Sequence, residues 1–174
     1  AYFINTPVGE VVWRKYQRGG LPGKFIKRSY LWVGLKNTRA YKELLLTQQL
    51  YDLGLPVPQP LAAHVVKTGL TYQADLITRK LPTSQTLADY LVAAFAQAQP
   101  DLTAITQRLS HVEAIIRQFH AQGLNHTDLN PRNILVTNEL TDASRETSAN
   151  VQQANNCWLI DFDNCSLGKP SAAV

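Results

Sequence analysis

His126-Thr127-Asp128-Leu129-Asn130-Pro131-Arg132-Asn133-Ile134-Leu135-Val136 is the most informative run of the chain. It sets an Asp and, five positions later, an Asn on one short loop that runs into an apolar strand. Further along, Trp158-Leu159-Ile160-Asp161-Phe162-Asp163 is a second apolar strand that delivers an Asp at its end. Two groups that must reach one site from one loop have a constrained separation; a group from a neighbouring strand does not. A carboxylate such as Asp128 can orient a hydroxyl and accept its proton. Asn133 and Asp161 are hard oxygen donors suited to Mg²⁺. Either loop residue alone would read as a cap or a turn filler. Both at this spacing, each beside an apolar strand, point to one site.

These two runs resemble the catalytic loop and the metal loop of the protein-kinase-like phosphotransferases. The resemblance implies that Asp128 is the catalytic base and that Asn133 and Asp161 hold Mg²⁺ against the phosphates of ATP. His126 reads as a structural loop residue that hydrogen-bonds near Asp161 rather than as a proton carrier. Asp163 either assists metal or substrate binding or caps its turn.

The rest of the chain supplies a matching order of elements. Strands are expected at 2–4 and 8–16, joined by a turn at Asn5-Thr6-Pro7. A helix follows from Thr38 to Tyr51 and stops at Gly54; Pro56, Pro58 and Pro60 then enforce extended chain. A hairpin over 61–66 and 70–78 turns at Lys67-Thr68-Gly69. Thr86 and Asp89 form a capping pair for a second helix. A third spans about 101–122, with Ile105, Leu109, Val112, Ile116 and Phe119 on its inward face and Gly123 as its stop. Residues 138–156 are polar and read as a mobile loop. The expected class is α+β: a bilobal protein-kinase-like fold. An antiparallel-sheet lobe with one helix (1–80) precedes a mainly helical lobe (81–174), with a hinge near Thr78-Arg79-Lys80-Leu81.

Such folds anchor the nucleotide phosphates with a strand cation steadied by a Glu from the following helix. Glu43 shares a helical face with Leu46 and Leu50, and an inward carboxylate needs a partner. Arg14 and Lys15 are both available as the cation and face opposite sides of their strand. If Val12 lies against the base, Arg14 is chosen; if Trp13 does, Lys15 is. The bulk of Trp13 favours Arg14, which can also grip phosphate with two donors.

The ending Asp161-Phe162-Asp163, with no His-Arg-Asp in the catalytic loop, resembles the small-molecule branch of the superfamily. Several further runs narrow the resemblance. They are Arg14-Lys15-Tyr16-Gln17-Arg18-Gly19-Gly20-Leu21-Pro22-Gly23-Lys24, Tyr30-Leu31-Trp32-Val33-Gly34-Leu35, Thr38-Arg39-Ala40, Gly54-Leu55-Pro56-Val57-Pro58-Gln59-Pro60 and Tyr72-Gln73-Ala74-Asp75-Leu76-Ile77-Thr78. Together they are similar to the 3-deoxy-D-manno-octulosonic acid (Kdo) kinases, over nearly the whole chain except 138–156 and the last few residues. The resemblance supports Arg14 as the strand cation. It implies ATP-dependent phosphorylation of a Kdo hydroxyl, the 4-OH in the family, on a lipid A precursor at the cytoplasmic face of the inner membrane.

Composition agrees with this. Residues 1–42 carry nine Lys/Arg against one acid, Glu10, a net charge of +8; the remainder carries eight against twelve, a net −4. A basic segment interleaved with Tyr16, Phe25, Tyr30, Leu31 and Trp32 suits an anionic membrane surface and an anionic acceptor, with Arg18, Lys24 and Arg28 as contacts. No nucleic-acid-binding motif accompanies it. No apolar run reaches membrane-spanning length, and Cys157 and Cys165 make neither a metal motif nor a disulfide framework, so a cytoplasmic, peripheral setting is expected. The chain lacks Met, opens inside a strand and stops eleven residues after Asp163, and is read as incomplete at both ends. The glycine-rich phosphate turn and the helices after the metal loop would lie outside it. Other classes consistent with these residues are an aminoglycoside-kinase-like enzyme and a non-catalytic kinase-like binding module.

Overall fold

The computed structural model describes residues 1–7, 9–17, 29–81, 83–137 and 156–170. The chain divides into two compact units, Ala1–Gln49 with Pro58–Lys80 and Leu50–Val57 with Leu81–Val174. The sequence division after residue 80 therefore needs one amendment, because residues 50–57 group with the second unit. The reason is local: the Leu159 amide donates to the Pro56 carbonyl at 3.1 Å, and Leu55 and Val57 are buried.

The first unit is an antiparallel sheet with one helix. Strands β1 (Tyr2–Thr6), β2 (Gly9–Lys15), β3 (Tyr30–Leu31), β4 (Pro60–Thr68) and β5 (Thr71–Arg79) form it, and α1 (Arg39–Asp52) lies between β3 and β4 in sequence. The path runs β1-β2-β5-β3, with β4 also paired to β5. β1 and β2 run on to Thr6 and Gly9, so their turn is tighter than expected. Tyr16, Ala40, Tyr72, Ala74 and Leu76 make the core, with Tyr30, Trp32, Leu44, Ala63 and Val65 packed around it. Along α1 the buried positions are Ala40, Glu43, Leu46, Thr47 and Leu50, at steps of three and four. One carboxylate therefore sits in a stripe whose only other polar member is Thr47.

The second unit contains α2 (Leu87–Phe95), α3 (Leu102–Ala121) and two small sheets. One sheet has the order β6 (Ser84–Thr86), β8 (Ile134–Thr137), β9 (Cys157–Leu159); the other pairs β7 (Leu124–Asn125) with β10 (Ser166–Leu167). Thr86 caps α2, its hydroxyl accepting from the Asp89 amide at 3.0 Å. Asp101 caps α3 in the same way through Ala104.

The inward face of α3 differs from the sequence expectation. Ile105, Arg108, Val112, Ile115 and Phe119 are buried, whereas Leu109 is exposed. The Arg108 guanidinium lies over the Tyr90 ring, 5.4 Å from the centroid, while its Nε and Nη1 are buried without a hydrogen-bond partner among the described residues. The mobile loop expected at 138–156 lies outside the described residues except for Asn156, which is buried. Arg18, Lys24 and Arg28 also lie outside them.

Gly123 ends α3 at φ 81 and passes against the chain leaving β10. A Cβ there would stand 2.6 Å from the Lys169 carbonyl oxygen and 2.8 Å from that of Gly168. Both the left-handed backbone and the close approach require glycine. Gly123→Ala is expected to cost about 1–3 kcal/mol, read as a melting midpoint lowered by several degrees; an unchanged midpoint would show that the β7–β10 contact yields freely.

Candidate active site

The catalytic-loop run lies between β7 and β8, the metal-loop run at the end of β9, and strand pairing brings them together. Ile134 faces Leu159 across the β8–β9 ladder. One step further, the Ile160 amide donates to the Asn133 carbonyl at 3.0 Å. This bond joins Asn133 to the residue before Asp161.

Asp128 is held from both sides. Asn130 Nδ2 donates to its Oδ1 at 2.9 Å, and Asn133 Nδ2 donates to its Oδ2 at 3.2 Å. The same two amides reach the Asp128 backbone carbonyl at 3.1 and 2.9 Å. Asn130 is itself fixed, its Oδ1 accepting from the Arg132 amide at 2.9 Å. The Asp128 side chain remains exposed to solvent. The result is an oriented carboxylate accessible to a substrate.

His126 links the two loops. Its Nε2 lies 3.2 Å from the Ile160 carbonyl oxygen, and its Nδ1 accepts from the Asp128 amide at 3.3 Å. A neutral imidazole with the proton on Nε2 satisfies both bonds at once. Its ring also lies 5.4 Å from that of Phe162, which stacks 6.4 Å from Phe119 on the other helix-facing side. Phe162 is buried and anchors the residue before it. Asp161 is held at φ 65, an uncommon conformation for a residue with a side chain. Asp163 is tied through its backbone, its carbonyl accepting from Thr127 Oγ1 at 3.3 Å.

The chemistry of the donor set fits a hard divalent cation. Only the NH₂ group of Asn133 can donate to Asp128, so that bond fixes which amide atom is which and leaves the side-chain oxygen available to a cation. Among the described residues no cluster of three His, Cys, Asp or Glu forms a metal cage. An amide and a carboxylate with phosphate and water is the usual arrangement for Mg²⁺.

In the first unit the structure pairs Arg14 with Glu43. Arg14 Nη2 donates to Glu43 Oε2, and the Tyr16 hydroxyl donates to the same oxygen. Glu43 is almost fully buried, whereas the Arg14 side chain is 29% exposed. The Arg14 guanidinium also lies over the Tyr16 ring, 5.1 Å from its centroid. Burial, with the Glu43 charge beside it, holds the Tyr16 hydroxyl far above its ordinary pKa, so it remains a donor. Lys15, the alternative cation, turns elsewhere: its ammonium lies over the Tyr2 and Trp13 rings at 5.0 and 5.2 Å.

Sequence reasoning did not single out Tyr16 or Asn130 for the site. Tyr16 was detectable in principle, because it stands two residues after Arg14 and shares its face. Asn130 occupies a variable position of the motif and carries no such signal.

A sequence model of the lipopolysaccharide kinase (Kdo/WaaP) family matches residues 1–172. The chain belongs to this family. Among curated relatives, the 3-deoxy-D-manno-octulosonic acid kinase of Vibrio parahaemolyticus is 35% identical over 164 residues, covering 94% of this chain and 59% of that protein. The one from Haemophilus influenzae strain 86-028NP is 39% identical over 160 residues, covering 91% and 57%. The one from Xanthomonas campestris pv. campestris strain B100 is 36% identical over 171 residues, covering 98% and 59%. The chain thus spans under two thirds of the length of the relatives it matches. Family membership and the mixed strand-and-helix architecture agree with the expected kinase-like α+β fold.

Proposed function

We propose that this chain carries the catalytic and phosphate-anchoring groups of an ATP-dependent sugar kinase. It transfers the γ-phosphate to a Kdo hydroxyl, the 4-OH, of a lipid A precursor. The observation that carries this reading is the Asp128 carboxylate, oriented by two amides, one of which belongs to Asn133. Relatives named 3-deoxy-D-manno-octulosonic acid kinase support the choice of acceptor.

In this mechanism Asp128 accepts the acceptor hydroxyl's proton as its oxygen attacks phosphorus, and the P–O bond to ADP breaks. Asn133 and Asp161 would hold Mg²⁺, which when bound would supply charge neutralisation at the phosphates. Arg14, positioned by Glu43 and Tyr16, is the fixed positive charge that this reading assigns to phosphate anchoring. The left-handed Asp161 backbone and the Phe162 anchor preset that carboxylate before substrate arrives.

The reading includes a location at the cytoplasmic side of the inner membrane, attached peripherally. The +8 charge of residues 1–42 supports attraction to anionic lipid. Among the described residues no helix is long and apolar enough to cross a membrane.

The deciding assay is transfer of ³²P from γ-labelled ATP with Mg²⁺ to a Kdo-bearing lipid A precursor by the full-length protein. Labelled sugar is the expected product. Bound nucleotide without labelled sugar would overturn the Kdo reading and leave another acceptor or a non-catalytic binding module.

A further inference from the structure

The far end of the β4–β5 hairpin differs from the rest of its sheet. Gly69 makes the turn at φ 59, and Leu70 at the tip is 82% exposed. β3 lies against the same end: Leu31 faces Thr71, and the Trp32 amide donates to the Leu70 carbonyl at 2.9 Å. The chain continues through Val33 into a 3-10 turn at Leu35–Asn37. Asn37 Nδ2 secures that turn by donating to the Val33 carbonyl at 2.9 Å. Leu31 is 68% exposed, and Val33 and Leu35 are exposed as well. Four large aliphatic side chains therefore stand in water on two segments tied together through their backbones.

The surroundings are of one charge. Lys67 lies over the Trp32 ring, 5.5 Å from its centroid, and Lys36 is exposed beside Leu35. Residues 29–42 and 60–74 include Lys36, Arg39, Lys42 and Lys67 and contain no Asp or Glu. Single exposed leucines are ordinary on any surface. A set of four on two joined segments whose own charged residues are all cations marks an interaction surface.

We propose that this hairpin end is a docking edge for an anionic lipid bilayer. Leu31, Val33, Leu35 and Leu70 enter the interfacial layer, and Lys36 and Lys67 meet lipid phosphates. The proposal rests on the lipid-linked acceptor reading for its purpose, while its observations are separate from the catalytic site. Charge decides the occupant. A symmetric contact between two copies would set this edge against itself, and neither segment brings an acid to face the lysines. A bilayer surface supplies phosphates without demanding shape complementarity. Lysine stems can lie along the apolar layer with their ammonium groups at headgroup level, and Trp32 is the aromatic type enriched there.

The test is partitioning of the full-length protein onto phosphatidylcholine vesicles with and without phosphatidylglycerol, in the absence of Kdo lipid and nucleotide. Binding at least tenfold stronger to the anionic vesicles is expected. Leu31→Asp with Leu70→Asp should lower it about tenfold or more, and Lys36→Glu with Lys67→Glu should weaken the preference for anionic lipid about tenfold. A Leu31→Ser/Leu70→Ser pair, with melting curves for each variant, separates docking from a disturbed hairpin. Three results would each overturn the proposal: unchanged partitioning in the folded variants, equal binding to neutral vesicles, or a dimer in free solution that Leu70→Asp abolishes. Assays with a soluble Kdo acceptor keep the two readings apart. Vesicle binding that depends on Leu70 without any Kdo phosphorylation removes only the acceptor assignment.

Discussion

Asp128→Asn is expected to fold as the parent does and to lower kcat by about 10²–10⁴-fold. The side chain is exposed on its loop, so little packing is at stake. Its two oxygens accept from Asn130 Nδ2 and Asn133 Nδ2. An amide at 128 keeps one acceptor and turns an NH₂ group against the other donor, so one of these bonds is lost. It also has no basicity with which to take the acceptor proton. The loss belongs to the transition state, so kcat should fall while KM for ATP stays within about twofold. Steady-state kinetics and a melting curve on the same preparation make the measurement. A folded variant with kcat within tenfold of the parent would show that Asp128 is not the base.

Glu43→Ala should act on stability and nucleotide binding together. Glu43 is 3% exposed, and its Oε2 serves both Arg14 and the Tyr16 hydroxyl. Truncation removes that acceptor from a guanidinium and a buried phenol. Removing one partner of a buried ion pair costs about 3–5 kcal/mol. Partial exposure of Arg14 brings the expected loss below that range, to about 2–3 kcal/mol after solvent screening. Glu43→Gln keeps the shape and a neutral acceptor and should lose roughly half as much. Denaturant midpoints give the stability change, and ATP titration should show a raised KM as Arg14 loses its orientation. Equal midpoints for Glu43→Ala and the parent would mean that the pair holds nothing in place.

Chemically specific residues were the legible part of this chain. The loop spacing from Asp128 to Asn133, the inward Glu43 on α1, the Thr86–Asp89 cap and the Gly123 stop each have a local physical cause, and each stands where the pattern put it. The failures share another cause. On α3, apolar periodicity chose Leu109 over Arg108, because periodicity cannot see that Tyr90 offers a ring to a buried guanidinium. Strand β6, Ser84-Gln85-Thr86, has no apolar alternation and exists because β8 supplies its hydrogen-bonding edge. β7 and β10 are two residues each and too short to leave a pattern. Which of Arg14 and Lys15 reaches Glu43 depends on strand orientation, which the sequence left open; Arg14 makes that contact and Lys15 lies over Tyr2 and Trp13.

The identity of that strand cation has a practical consequence for inhibitor and profiling chemistry. If Arg14 is the phosphate anchor, as proposed, reagents that acylate a lysine amine at that position would meet a guanidinium, which is a poor nucleophile. The neighbouring amine of Lys15 is turned towards Tyr2 and Trp13. Under the proposed function, amine-directed labelling would therefore find no amine at the phosphate-anchoring position itself. A dicarbonyl warhead, which condenses with guanidinium groups, is the handle that its chemistry offers instead.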